Sequence, residues 1–232
     1  MIKLRARVEH LLDLFVVLRN KYAMLRPLAF DADLAERVGK EGRGHTILKG
    51  ALLESCVQDL VKLSLDRDPR TPSARNLMAS LEDDRVLVIL WEEYSVVPPI
   101  LSADEGGTEL PPEVLESLQE GERSRLSTEF HEVRGRLCAD WCAFVHGGRI
   151  SRFKTWRDKL IAHSELRHVN GEYQLLDLGE VGLTWGDLGE AIDELEAVVE
   201  GLNMLFRSAS FSWDMLDEQL ADVADGFWDL VG

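Results

Sequence analysis

The amino-acid sequence predicts an all-α fold, a bundle of long helices that closes in acidic C-terminal helices. Three observations carry this expectation. Leu4, Val8, Leu11, Phe15, Leu18, Tyr22 and Leu25 alternate spacings of four and three, the seam of a bundle or coiled-coil helix. The one strand-like apolar run, VLVILW at residues 86–91, has no comparable run to pair with and therefore reads as helix. The end of the chain carries two amphipathic segments whose polar faces are acidic.

Each element follows in order. After the N-terminal seam, GKEGRGH at residues 39–45 is a glycine-rich break; it lacks the lysine and hydroxyl that follow the glycines of a P-loop, so it is expected to be a plain loop. From Thr46 a second amphipathic helix runs through Leu53, Leu60 and Leu63 to about Leu65. DRDPRTPS, residues 66–73, turns the chain, with Ser73 as helix N-cap. Helix is expected over residues 86–97, and a loop over 98–112 ends in prolines that suit a helix start. A long helix from about Glu113 to His146 stops at Gly147-Gly148, and a further helix holds the segment TWRDKLIAHSELR, residues 155–167. Asn170-Gly171 between short alternating stretches suits a small hairpin. Helices from Thr184 to about Ser208 and from Ser212 to about Leu230 close the chain.

The length of 232 residues suits a single domain, residues 1–232, in which 184–232 are the acidic C-terminal helices. An apolar fraction of 45% with 29% charged residues is that of a folded protein rather than a disordered one. No apolar run is long enough to span a bilayer, and Asp13 interrupts the signal-like stretch LLDLFVVL, so a cytoplasmic protein with no membrane partner is expected. Cys56, Cys138 and Cys142 form no disulfide framework. Cys138, Cys142 and His146 stand at i, i+4 and i+8, but eight residues of helix rise about 12 Å, too far for zinc ligands to share one ion. The cysteines are expected to be small buried residues on a helix face, and no metal or other cofactor is expected.

Charge is unevenly spread. From Glu172 onward there are fifteen acidic residues and one basic residue, Arg207, so this segment carries −14 of the net −16 and the other 171 residues only −2. By contrast Arg149, Arg152, Lys154, Arg157 and Lys159, against Asp158 alone, make a local +4 of the kind that attracts phosphate. On a regular helix at 100° per residue, Phe153, Trp156, Leu160 and Ile161 form an apolar stripe, with Arg157 inside it and His163 on its border about 120° away. The stripe needs cover. Two copies packed stripe to stripe about a two-fold axis would bring the arginines and histidines of both chains into one cleft.

Arg157-Asp158, four further residues and His163 resemble the R-[polar]-x(3–5)-H pattern of HEPN domains, and RDKLIAH is similar to the RDKxxAH of the AbiU2-like, abortive-infection branch. LVKLSLDRDPRTPSARNLM, residues 60–78, and LTWGDL, residues 183–188, resemble segments of the same branch, in the same order. The resemblance implies a HEPN-like helical bundle with a long antiparallel helix pair, a homodimer joined through the motif helices, and an activity as a metal-independent endoribonuclease in phage defence or toxin–antitoxin systems, with RNA and an antitoxin protein as partners. The residue chemistry agrees. His163 can take a proton from a 2′-hydroxyl or give one to the leaving 5′-oxygen, and Arg157 suits the phosphate as its charge reorganises. Asp158 would orient Arg157 or His163, while Arg152, Lys154 and Lys159 would hold the RNA backbone.

Glu165 stands two residues after His163, where HEPN toxins silenced by a nucleotidyltransferase partner carry tyrosine; this argues against control by tyrosine adenylylation. A non-catalytic HEPN interaction or RNA-binding module is the alternative, since Arg157 and Asp158 also suit ordinary helix-surface ion pairs. The last helix, with Leu216, Leu220, Val223, Phe227, Trp213 and Trp228 on an apolar face, reads as the final helix of the bundle or as an acidic shield over the basic motif.

Overall fold

The computed structural model describes residues 1–31, 34, 42–97, 111–161, 166–169, 172–175 and 179–231. Helix α1 spans Ile2–Phe30, α2 Gly42–Leu65, α3 Ala74–Ser80, α4 Asp84–Tyr94, α5 Pro112–His146, α6 Arg149–Trp156, α7 Trp185–Arg207 and α8 Trp213–Val231. Strands β1 (Leu166–Val169) and β2 (Glu172–Leu175) pair antiparallel, from Leu166 opposite Leu175 to Val169 opposite Glu172. Asn170-Gly171 lie between them in sequence, outside the described residues. The architecture is an all-α bundle carrying one small hairpin.

The heptad seam of α1 is where the pattern places it: Val8, Leu11, Phe15, Leu18 and Leu25 are buried. They meet Cys56, Val57 and Leu60 of α2 and the apolar face of α7 in one continuous core. Helix α7 is central and antiparallel to both its long neighbours. Against α1, Arg5 Nε donates to the Phe206 carbonyl, while Arg19, further along α1, pairs with Glu196, further back along α7. Against α5, Leu137 lies at Gly201 and the chain just past the end of α5 reaches Asp187. A Cβ on Gly201 would stand 3.0 Å from Leu137 Cδ1 and 3.1 Å from its Cβ, so the missing side chain lets the two helices approach.

Local signals explain the ends. Ser73 Oγ accepts from the Asn76 N–H and donates to the Asp66 carbonyl. Asp83 caps α4 by accepting from the Arg85 N–H, and Pro112 occupies the first turn of α5. At α7, Thr184 and Asp187 form a reciprocal capping box. VLVILW is helical, as expected, with Leu90 and Tyr94 the buried residues of α4. The expected loop at 98–112 lies outside the described residues apart from Pro111 and Pro112. Gly148 terminates the α5–α6 corner at φ 82°, a value that favours glycine.

Three expectations change. Gly42–His45 belong to α2 rather than to a loop; glycine costs a helix only about 1 kcal/mol relative to alanine, and the buried residues further along α2 outweigh that. Cys138 and Cys142 are exposed, not buried. Helix α5 buries Phe130, Val133, Leu137 and Phe144, and the two cysteines and His146 fall on the opposite face. In α8, Ala224 and Trp228 are buried with Leu216 and Leu220 partly so, whereas Val223 and Phe227 are 63% and 45% exposed. The covered line runs at spacings of four and bypasses both. Among the described residues, no group of side chains could hold a metal ion and no helix is long and apolar enough to cross a membrane.

Burial and the neighbouring Asp59 push the Cys56 thiol up to about 12, with Lys21 only partly offsetting them. In native protein at pH 8, iodoacetamide should therefore modify Cys138 and Cys142 and spare Cys56, which should react once the chain is denatured; peptide mass mapping reads both states.

Candidate functional site

The motif segment begins as the regular helix α6 and changes character within it. From Arg157 to Ile161 the backbone takes the wider turn of a π-helix, with i→i+5 bonds in place of i→i+4. The 100° step used to place Arg157 and His163 fails at this turn. The side chains of Leu160 and Ile161, and His163 entirely, lie outside the described residues.

The described part of the stripe is covered from within the chain. Ile150, Phe153 and Trp156 are 1%, 1% and 6% exposed and belong to the main core, so these residues do not await a second copy. The Trp156 indole N–H is buried with no hydrogen-bond partner among the described residues, beside the start of the π turn. An uncompensated buried donor costs about 1–3 kcal/mol.

The five cations of the motif patch divide by direction. Arg149 faces α7, where its Nε donates to Asp187 at 3.2 Å and its other nitrogens pair with Glu190 and Glu194. Arg152 Nη1 donates to the Gly182 carbonyl at 2.7 Å, and its Nη2 lies 3.9 Å from Asp187. Burial alone would raise the Asp187 carboxyl, but the Thr184 backbone N–H, the Thr184 hydroxyl and Arg149 overcome this and hold it below the usual aspartate value. These two arginines fasten α6 to the acidic start of α7.

Lys154 and Arg157 face the other way. Lys154 Nζ donates to Asp158 Oδ2 at 2.7 Å, and Arg157 donates to Asp158 Oδ1 from Nε at 2.9 Å and from Nη2 at 2.5 Å. Burial opposes ionisation of Asp158, yet the bonds from Lys154 and Arg157 prevail and lower its carboxyl. Asp158 thus orients Arg157. Lys159 is half-buried.

Lys154 and Arg157 form one wall of a hollow of about 560 Å³. The opposite walls come from the end of α2, with Val61, Lys62 and Leu65, from the following turn, with Asp66 and Arg67, and from α3, with Arg75. Five cations therefore share the hollow with Asp66 and the Asp158 beside them. Reasoning from the motif's own segment missed Lys62, Arg67 and Arg75. The signal lay in LVKLSLDRDPRTPSAR, residues 60–75, whose reading as a turn and as a family-like segment gave its cations no role.

Three separated segments meet around α6: LVKLSLDRDPRTPSARNLM lines the hollow, Arg157 of RDKLI stands with Lys154 on its far wall, and LTWGDL caps α7 and receives Arg149 and Arg152. The sequence model of the HEPN-type family described as AbiU2 matches residues 1–227. The chain belongs to the AbiU2 family of HEPN proteins. No curated protein and no solved structure matches it. Within this HEPN bundle, the family motif's arginine is placed at the wall of the cationic hollow rather than against α7.

Arg149 is 20% exposed and serves three carboxylates of α7. Arg149→Ala should lower unfolding free energy by about 1–2 kcal/mol in urea titrations, after allowance for solvent screening at the exposed glutamates. An RNA-binding effect with unchanged stability would place Arg149 among the phosphate contacts instead.

Proposed function

We propose that the protein is a metal-independent endoribonuclease of a phage-defence or toxin–antitoxin system. The observation that carries the reading is Arg157, oriented by Asp158 and presented from a π-helical turn at the wall of a cation-lined hollow. π turns are frequent at functional sites. In this reading a phosphodiester enters the hollow and the adjacent 2′-hydroxyl attacks phosphorus, expelling the 5′-oxygen. His163 moves the proton of the attacking or leaving oxygen. Arg157 exchanges Asp158 for the phosphoryl oxygens and stabilises their charge in the transition state. Lys154, with Lys159 further round the helix, attracts the backbone, whereas Arg152 is engaged by the Gly182 carbonyl and Asp187. The acting species is a homodimer in which two motif helices contribute to a shared cleft, and a protein antitoxin would act by covering it. A non-catalytic RNA-binding module is the second reading. One observation favours it: Asp158 already occupies both Arg157 and Lys154, as in a helix-surface ion-pair network.

Purified protein is expected to cleave single-stranded RNA in EDTA and to leave 2′,3′-cyclic phosphate ends. His163→Ala should abolish cleavage while circular dichroism and the light-scattering mass of a dimer stay unchanged. Equal cleavage by both proteins would overturn the role given to His163, and no cleavage by either, with RNA still bound, would establish the binding module.

Arg157→Lys keeps the charge and loses the fork. Its defect should persist at saturating RNA, because an interaction made mainly in the transition state is not recovered by adding substrate. Single-turnover rates measure this, and wild-type behaviour at saturation would reduce Arg157 to a backbone clamp.

A further inference from the structure

The turn between α2 and α3 is braced by hydrogen bonds that engage its two aspartates. Asp66 Oδ1 accepts the Asp68 N–H at 2.9 Å, and Asp68 accepts the Arg70 N–H at 2.9 Å while pairing with the Arg70 guanidinium. Asn76 Nδ2 donates to the carbonyls of Asp68 and Thr71, Ser73 Oγ donates to that of Asp66, and Arg7 of α1 bonds the Pro69 carbonyl. The turn is thereby tied at both ends and to α1. Asp68 is committed to Arg70, and the near oxygen of Asp66 to its own turn. Among the described residues no carboxylate pairs with Lys62, Arg67 or Arg75. These three cations line one hollow beside a braced turn.

We propose that Lys62, Arg67 and Arg75 form a phosphate-binding arm that holds the backbone of single-stranded RNA opposite Lys154 and Arg157. The proposal rests on the RNA reading above and adds the second wall of its substrate channel. Two features select an extended phosphodiester chain. The cations are spread over three elements around about 560 Å³ rather than gathered on one point, which suits successive phosphates. Among the described residues the remaining lining is Val61, Leu65 and Asp66, with no aromatic side chain on which a base could stack, so the arm of Lys62, Arg67 and Arg75 reads backbone charge and not sequence. Asp66 stands among the cations and disfavours over-tight retention of an anion. At physiological salt the Debye length is about 8 Å, which lets this local patch act despite the acidity of the rest of the chain.

The test uses the full-length chain and a short fluorescein-labelled single-stranded RNA, with binding read by anisotropy over a salt series. Arg67→Ala/Arg75→Ala should bind on the order of tenfold more weakly near 0.1 M salt, with the log–log salt slope reduced by about 0.7 per lost contact. Its thermal stability should match wild type, since neither side chain pairs with a carboxylate. Arg67→Lys/Arg75→Lys should restore most of the affinity, because a backbone clamp needs charge and not a fork. If wild type cleaves RNA, the alanine variant should recover the full rate at saturating substrate. Unchanged affinity and slope in the alanine variant overturn the arm and leave the RNA reading standing. Weakened binding without any cleavage by wild type sustains the arm and overturns the nuclease reading. No RNA binding by wild type at low salt overturns both. A nucleoside triphosphate that binds as tightly as the oligonucleotide, with the same loss in the variant, overturns the backbone claim in favour of a free phosphate ligand.

Discussion

Arg149 ties the motif helix to the middle of the bundle, and the orientation of everything beyond it follows. Helix α7 is buried along most of its length, from Leu188 to Phe206, and presents acidic side chains at its first turns. Asp187, Glu190 and Glu194 lie on the side that Arg149 reaches as the chain leaves α5 through Gly147-Gly148. With Arg149 and Arg152 committed there and Ile150, Phe153 and Trp156 buried, α6 has one direction left for Lys154 and Arg157. That direction is the hollow beside α2 and α3. The clamp works because the same Asp187 serves as helix cap and ion-pair partner: its carboxylate accepts the Thr184 N–H and hydroxyl while facing Arg149.

The acidity of the C-terminal segment has a structural use. Arg19 of α1 meets Glu196 of α7 and Asp217 of α8, and its guanidinium lies over the Trp213 ring. Trp213 Nε1 donates to Glu200, and Trp228 Nε1 to the Met24 carbonyl. Helix α8 is the last helix of the bundle, and its described bonds run to α1 and α7. Within the acidic C-terminal segment, the carboxylates that meet the motif patch belong to α7, and they engage Arg149 and Arg152 rather than Lys154 and Arg157. Charge is thus sorted: Arg149 and Arg19, which join helices, are matched by carboxylates, whereas among the described residues Lys62, Arg67 and Arg75 are not, the neighbouring Asp68 being occupied by Arg70.

Much of this was legible in local pattern. The α1 seam, the Ser73 cap, the start of α7 at Thr184, the proline start of α5, the glycine stop after His146 and the small hairpin all arise from interactions within a few residues, which a linear sequence displays directly. The helical state of VLVILW was legible too, from the lack of any strand to pair with. What failed did so for stated physical reasons. Gly42–His45 are helical because buried contacts further along outweigh a small propensity cost, and Cys138 and Cys142 are exposed because the apolar face of α5 is chosen by α7, not by the cysteines' own preference.

The sequence by itself determined the helical class, most helix ends, the family motif and Arg157 within it, because these depend on side-chain type at short spacing. Only the tertiary structure decided which cations of that motif face the hollow and which face α7. Arg149 and Arg157 are chemically identical and eight residues apart; one is taken up by carboxylates more than 35 residues away, and the other, turned aside by a π turn, faces Lys62, Arg67 and Arg75, which lie over 80 residues earlier. Local spacing carries no information about such partners, since the field at a side chain is set by what the fold brings within a Debye length of it.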